Sequence, residues 1–397
     1  SYMSFFNHIP TFSPDAILGL QNVFFADKRP EKVNLVIGVY EHPQKRYGGL
    51  SCIRKAQTVI LEEEQNKSYL PISGLQIFLD EMRELVFGAV DPSAIVGFQS
   101  LGGTGALHLG ARLLSVAKGS GKVYVPEQTW SNHIRIFSQE GLEVIRYPYY
   151  SKEQKQLLFE PLIAFLKEVE KNSVILLHGC CHNPTGVDFT EDMWKELAIL
   201  MKERELIPFF DTAYQGFAHG IELDRKPIEI FISEGNTVLV AASSSKNFAL
   251  YGERVGYFAV HSTFTDELVK IHSFLEEKIR GEYSSPQRWG VEIVSTILSN
   301  PYLKEEWQSE LNFIRESLGK MRTRFVQALR KVAGHTFDFL LSQHGFFAYP
   351  GFSDKQVLFL REQHAVYTTA GGRMNLNGIT EKNIDHVVQS FIQAYEL

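Results

Sequence analysis

Between about residues 100 and 260 the chain alternates short apolar, β-branched runs with longer amphipathic stretches, and this limits the fold more than any other feature. The runs fall at 122–125, 174–178, 207–211, 238–243 and 255–260, with helical candidates such as 106–117 and 191–202 between them. Parallel strands need a crossover between them, so this pattern predicts a mainly parallel sheet covered by helices on both faces. The C-terminal third opens with long helical patterns at 264–280 and 302–332. A small α+β segment containing 345–351 and 367–377 follows. We expect one large α/β domain and one smaller domain, and 397 residues suffice for both.

Charge and cysteine usage exclude several function classes. The net charge is -6 and no long Lys/Arg run occurs, which disfavours nucleic acid or an anionic membrane as a partner. Cys52, Cys180 and Cys181 form an odd set with two adjacent members, so no disulfide framework is expected and a reducing cytoplasm is the natural compartment. No run approaches the ~18 apolar residues of a membrane span, and the N-terminal stretch lacks a basic region followed by an apolar run.

In open α/β sheets ligands gather at the carboxyl ends of strands, where Asp211 and the stretch Ser243-Ser244-Ser245-Lys246 are expected. A lysine after a buried strand is ordinarily a solvated turn residue. Ser-x-x-Lys also matches an acyl-enzyme motif, but its companions Ser-Asp-Asn and Lys-Thr-Gly are missing from the chain. A Schiff-base lysine, whose amine needs a pocket that lowers its pKa, fits better. Arg254 lies close by and, with the serines, would hold a phosphate dianion. Leu101-Gly-Gly-Thr-Gly-Ala before a helical stretch reads as a phosphate cradle at a helix N-terminus, or as glycines that merely shape a turn. It is not a dinucleotide fingerprint, because His108 stands at the third glycine. Gly119-Ser-Gly-Lys122 likewise fails as a P-loop, with Val116 and Val123 at required positions.

His178-Gly-Cys-Cys-His182 looks metal-like, since residues 178, 180 and 182 would share one face of a strand. Such a set seldom makes a zinc site without outside ligands, so packing and hydrogen bonding are expected instead of metal. Asn183-Pro-Thr-Gly186 is a turn signal from which Asn183 can point inward as a donor. Asp211, ending the run Pro208-Phe-Phe, needs a cationic partner to stay ionised, and a protonated pyridine nitrogen would serve.

In this order these pieces resemble the aspartate/aromatic aminotransferase family, fold type I of the pyridoxal-phosphate enzymes. The likeness runs from Asp15-Ala-Ile-Leu-Gly-Leu to Asn375 through Asn34-Leu-Val-Ile-Gly-Val-Tyr40, His178–Gly186, Ala213-Tyr-Gln-Gly-Phe217 and Ser245-Lys-Asn-Phe248. The resemblance implies a large domain (46–312) with a mainly parallel seven-stranded sheet, a smaller α+β domain (15–45 and 313–397) and an N-terminal arm (1–14). It implies that Lys246 carries pyridoxal 5'-phosphate as a Schiff base, that Asp211 pairs with the pyridinium nitrogen and that His133 orients Asp211. Tyr214 and Asn183 would donate to the phenolic oxygen, and Trp130 would stack on the ring. Gly103, Thr104, Ser243, Ser245 and Arg254 would form the phosphate site, with Tyr69 reaching it from the other subunit of a homodimer. Arg373 would grip the substrate α-carboxylate near Gly38 and Asn183, and Arg280 would reach a distal carboxylate across the dimer. Substrates would be small amino acids and 2-oxo acids.

Three positions depart from the aspartate-selective pattern. Ser285, in Tyr283-Ser-Ser-Pro286, stands where such members usually have Asn and broader ones tend to have Ser. Tyr47 and Ser68 also differ. The expected activity is therefore amino-group exchange between L-aspartate, aromatic amino acids and 2-oxoglutarate. The rival readings are a narrow aspartate enzyme, another fold-type-I activity such as a decarboxylase or β-lyase, and a catalytically silent protein. The Arg280/Arg373 pair and the intact Lys246/Asp211 set argue against the last two.

Overall fold

The computed structural model describes residues 4–42, 49–63 and 66–397, so Tyr47 lies outside the described residues. Seven strands form the central sheet: β1 (Ile95–Leu101), β2 (Lys122–Pro126), β3 (Glu143–Tyr147), β4 (Val174–His178), β5 (Ile207–Thr212), β6 (Val238–Ser243) and β7 (Val255–His261). Their spatial order is β1-β7-β6-β5-β4-β2-β3. Pairings among β3, β2, β4, β5 and β6 are parallel, and β7 runs antiparallel to both β6 and β1. Five strands therefore agree with the sequence expectation to within a residue at each end. β1 and β3 stand outside the apolar runs. Gly97, Gln99 and Ser100 interrupt the pattern of β1, where a Cβ on Gly97 would lie 2.7 Å from the Tyr257 ring. β3 is an edge strand with one buried residue.

Alternate side chains of the buried strands feed two apolar clusters, one on each face. Phe209, Leu176 and Leu239 enter one, and Phe210, Leu177 and Val240 enter the other. Helix α1 (Gly102–Val116) begins at the end of β1, four residues before the expected start. Three glycines in its first turn lower intrinsic propensity. Gly102 has φ +67, however, which turns the strand directly into the helix, and a Cβ there would stand 2.5 Å from Arg254 Nη2. Glycine is required at that position.

Helix α2 (Pro301–Ala333) is 33 residues long and is capped by Asn300, which accepts from the N–H groups of Tyr302 and Leu303. The C-terminal part is tied to the N-terminal part through backbone pairing. Val33–Asn34 lies parallel to Val366–Tyr367, and Phe347–Ala348 lies antiparallel to Met374–Asn375. Asn375 donates three times to this seam, from its N to Leu35 O (2.9 Å) and from Nδ2 to Val39 O (3.2 Å) and to Ile37 O. These bonds set residues 35–39 and Arg373 side by side. Among the described residues no helix is long and apolar enough to cross a membrane.

Candidate active site

The carboxyl ends of β4, β5 and β6, the start of α1 and the N/C-terminal seam enclose one cavity of about 400 Å³. It gathers Gly38, Gly103, Thr104, Trp130, His133, Asn183, Asp211, Tyr214, Ser243, Ser245, Lys246, Arg254 and Arg373, all singled out in the sequence. Tyr69 and Arg280 do not line it. Tyr69 is 90% exposed, and Arg280 is exposed at the last turn of helix α3 (Thr265–Glu282), where its Nη1 donates to the Ser284 hydroxyl. The hydroxyl holding Arg280 is thus that of Ser284 rather than that of Ser285, which follows it. Ser68 is exposed and its carbonyl accepts from Arg288 Nε at 3.0 Å.

At one end of the cavity the first turn of α1 presents backbone N–H groups that have no partner within the helix, with Arg254 beside them. Arg254 holds its own left-handed backbone (φ +54), and its carbonyl accepts from Gly102 N at 2.9 Å. Ser243 Oγ accepts from Ser245 N at 3.1 Å and so faces the same end. Such a corner suits a dianion.

At the other end Asp211 accepts from His133 Nε2 at 2.6 Å. His133 Nδ1 lies 2.8 Å from Thr129 Oγ1, which lies 3.1 Å from His178 Nε2, and His178 Nδ1 accepts from Asn183 N at 3.3 Å. That last bond fixes every proton in the chain. With Nδ1 of His178 accepting, its Nε2 donates to Thr129, the hydroxyl donates to His133 Nδ1, and His133 Nε2–H donates to Asp211. Burial, with His133 nearby, pushes the His178 imidazole down to about 3, so it is neutral. Burial alone would raise the carboxyl of Asp211. The His133 bond and the positive groups around it outweigh that and hold it below its ordinary value, ionised.

Lys246 sits between these ends, with Nζ 5.1 Å from the Tyr214 ring centroid. Burial lowers its pKa, Asp211 opposes the shift, and Arg254 and Arg373 add to it. Burial raises the phenol of Tyr214. Arg373 is 7% exposed, and its Nη1 and Nη2 donate to Asn183 Oδ1 (3.0 Å) and Val36 O (2.8 Å). Its buried Nε has no hydrogen-bond partner, and it makes no salt bridge among the described residues. The guanidinium lies 4.0 Å from the Phe347 ring centroid. Phe347 is a site residue that the sequence did not signal. Tyr251, whose hydroxyl accepts from Tyr40 N at 3.0 Å, is another. Ile17, Leu18 and Ile37 add an apolar wall.

The histidine–cysteine stretch resolves differently from its strand reading. β4 stops at His178, and Cys181 turns left-handed (φ +50), so residues 178, 180 and 182 do not share a strand face. His182 stacks on Tyr149 at 3.9 Å, and Cys180 Sγ lies 3.4 Å from Tyr214 O. Among the described residues no group of three or more His, Cys, Asp or Glu could hold a metal ion.

Comparison with known proteins places this geometry. The family described as aminotransferase class I and II matches residues 30–391. The aspartate aminotransferase of Escherichia coli K12 is 40% identical over 98% of this chain and 99% of its own length. The aromatic-amino-acid aminotransferase of the same organism is 38% identical over 97% and 99%. The crystal structure of an aromatic-amino-acid aminotransferase from Burkholderia pseudomallei, covalently bound to pyridoxal phosphate, superposes with a TM-score of 0.94 at 36% identity, covering 99% of this chain and 100% of that one.

The residues present also fit that cofactor. An anion cradle lacking side chains at Gly102 and Gly103, an ionised carboxylate across the cavity and a buried amine between them match the phosphate, ring nitrogen and aldehyde of pyridoxal phosphate. From β-sheet topology to the buried lysine, and over nearly its whole length, the chain belongs to the class I and II aminotransferases and is a pyridoxal-phosphate-dependent aminotransferase.

Proposed function

We propose that this aminotransferase exchanges amino groups between L-aspartate, aromatic amino acids and 2-oxoglutarate, as a cytoplasmic homodimer with shared sites. The observation that carries the reading is Arg373, a buried guanidinium with an unpartnered Nε in the same cavity as Lys246. A planar two-donor fork of this kind demands a carboxylate, which every amino acid and 2-oxo acid supplies. Relatives named for aspartate and for aromatic amino acids support the substrate range.

Bound pyridoxal phosphate supplies an electron-withdrawing ring joined to the substrate nitrogen. Lys246 Nζ would hold the cofactor covalently at rest and, once freed, would be the base that takes the proton from the substrate Cα. Its lowered pKa leaves the amine able to accept that proton. Asp211, kept ionised through His133, holds a proton on the ring nitrogen. Tyr214 and Asn183 would donate to the phenolic oxygen, Trp130 would cover the ring, and Gly103, Thr104, Ser243, Ser245 and Arg254 would hold the phosphate. Arg373, set by Asn183 and the Val36 carbonyl beside Gly38, would orient the α-carboxylate and thereby select the Cα–H bond as the one to break. That choice favours amino transfer over decarboxylation.

Tyr69 and Arg280 are exposed and do not line their own cavity, which supports their serving the partner's site. Residues 46–312 form the cofactor domain and 15–45 with 313–397 the smaller domain in this assignment. Toward dicarboxylates Arg280→Ala should be weak and Lys246→Ala inactive, yet mixing them should raise the activity above that of either alone. One site of the hybrid dimer draws both residues from unmutated copies. Full activity in a monomeric sample would refute the shared site.

Substrate range is tested by kcat/KM for aspartate and phenylalanine with 2-oxoglutarate as acceptor. Losing a buried charge partner costs about 2–5 kcal/mol, so Arg280→Ala should lower the aspartate value by roughly 30-fold to 4,000-fold and spare phenylalanine. Ser285→Asn should shift preference toward aspartate. If the wild type shows no phenylalanine turnover, a narrow aspartate enzyme remains.

A further inference from the structure

Asn183 is aimed by a turn that closes on one carboxylate. Asp188 Oδ2 accepts from Cys181 N at 2.8 Å, and Oδ1 accepts from His182 N at 2.9 Å. Cys181 carries φ +50, a left-handed backbone that a residue with a Cβ adopts only when its surroundings impose it. Around it the turn bonds to itself, His182 Nδ1 to Thr185 Oγ1 at 2.7 Å and Gly186 N to His182 O at 2.6 Å. Asn183 follows at once, with its N–H on His178 and its Oδ1 on Arg373. Asp188 itself does not line the cavity and makes no salt bridge among the described residues. A carboxylate kept away from any cation and spent on two backbone N–H groups has the geometry of a clamp.

We propose that Asp188 is a positioning residue for amino-group transfer, locking the left-handed turn at Cys181 and thereby fixing Asn183 against Arg373. The proposal rests on the reading of Asn183 and Arg373 as the carboxylate site. The ionised form offers a full acceptor to each N–H group, whereas protonation turns one oxygen into a hydroxyl, a weaker acceptor. Tyr149, Cys180, Cys181, His182 and, from the helix Ile221–Asp224, Asp224 face this carboxylate, and Arg322 stands behind Cys181. Burial pushes the Asp188 carboxyl up to about 6, against the pull of its two N–H bonds. Its folded value thus lies above its unfolded one. By linkage its contribution to stability is full below the unfolded value and is lost as pH rises through 6. Acidification therefore loosens the clamp while this group favours the fold, so function and stability move in opposite directions.

The test uses the cofactor-loaded full chain between pH 5 and 8. It measures kcat, KM for 2-oxoglutarate, thermal midpoint, and the Kd of maleate, a non-reacting dicarboxylate, read from the absorbance of the bound cofactor. Asp188→Asn puts an amide donor where one acceptor was. At pH 7.5 it should raise KM and the maleate Kd about tenfold or more, with kcat changed less than about threefold. The gap from wild type should narrow below pH 6. KM and Kd within twofold of wild type at pH 7.5 would overturn the proposal, as would a gap independent of pH. If the variant does not fold, the wild type decides: KM must rise on acidification with a midpoint near 6, and a flat profile overturns it. Arg373→Lys is the control. Unchanged KM there means that the carboxylate-site reading has failed, whatever Asp188 does.

Discussion

Lys246→Ala is expected to lower turnover by at least about 10⁴-fold while leaving the fold and cofactor binding in place. Positioned general acid–base groups alone contribute about 10²–10⁴-fold, and in the proposed mechanism the same nitrogen would also make the covalent link. Among the described residues no other lysine lines the cavity, so none of them can replace it. The cofactor should still bind, because the dianion corner at Gly103 and Arg254 and the ring partner Asp211 are untouched. Borohydride reduction of the wild type followed by peptide mapping should find the pyridoxyl group on Lys246. A label on another residue, or turnover in the alanine variant within tenfold of wild type, would defeat the assignment.

Asp211→Asn should be the next most damaging change, lowering kcat by about 10²–10⁴-fold. The amide keeps the shape and can still accept from His133, so the loss isolates the charge. Without that charge the ring nitrogen loses the anion that keeps its proton. The stability effect has a definite sign. Asp211 is held below its ordinary value in the folded chain, so its ionisation supports the fold above the unfolded carboxyl pKa, and that support fades as pH falls. The gap in thermal midpoint between wild-type and Asp211→Asn apoprotein should therefore be largest near neutrality and close in acid. An equal gap at every pH would mean that packing, not charge, is lost.

Strand periodicity announced five of the seven sheet strands because these are buried on both faces and written in Val, Ile, Leu and Phe. β1 and β3 escaped it for opposite reasons. One carries Gly and Gln that fit specific neighbours, and the other lies at an edge and is mostly polar. Residues at the strand ends were legible, since Asp211 and Lys246 are polar interruptions of apolar text. Phe347 was not, because one phenylalanine among many acquires its role only by lying on Arg373. Asp188 was hidden in the same way. Its partners are backbone N–H groups, which leave no trace in a sequence. The resemblance carried the trans pair Tyr69 and Arg280, which no local pattern in the chain marks.

The pairing of Val33–Asn34 with Val366–Tyr367 has a kinetic meaning. It joins segments more than three hundred residues apart in the sequence, and Arg373 takes its bonds from Val36 and Asn183. The sheet and its phosphate corner use only residues in the middle of the chain and can assemble while synthesis continues, because domains fold as units in N-to-C order. The carboxylate pocket cannot. Its closure waits until residues 366–373 are made and return across more than three hundred residues, a long-range contact of the kind that slows folding. The expected order of maturation is therefore the cofactor corner first and the carboxylate pocket after it.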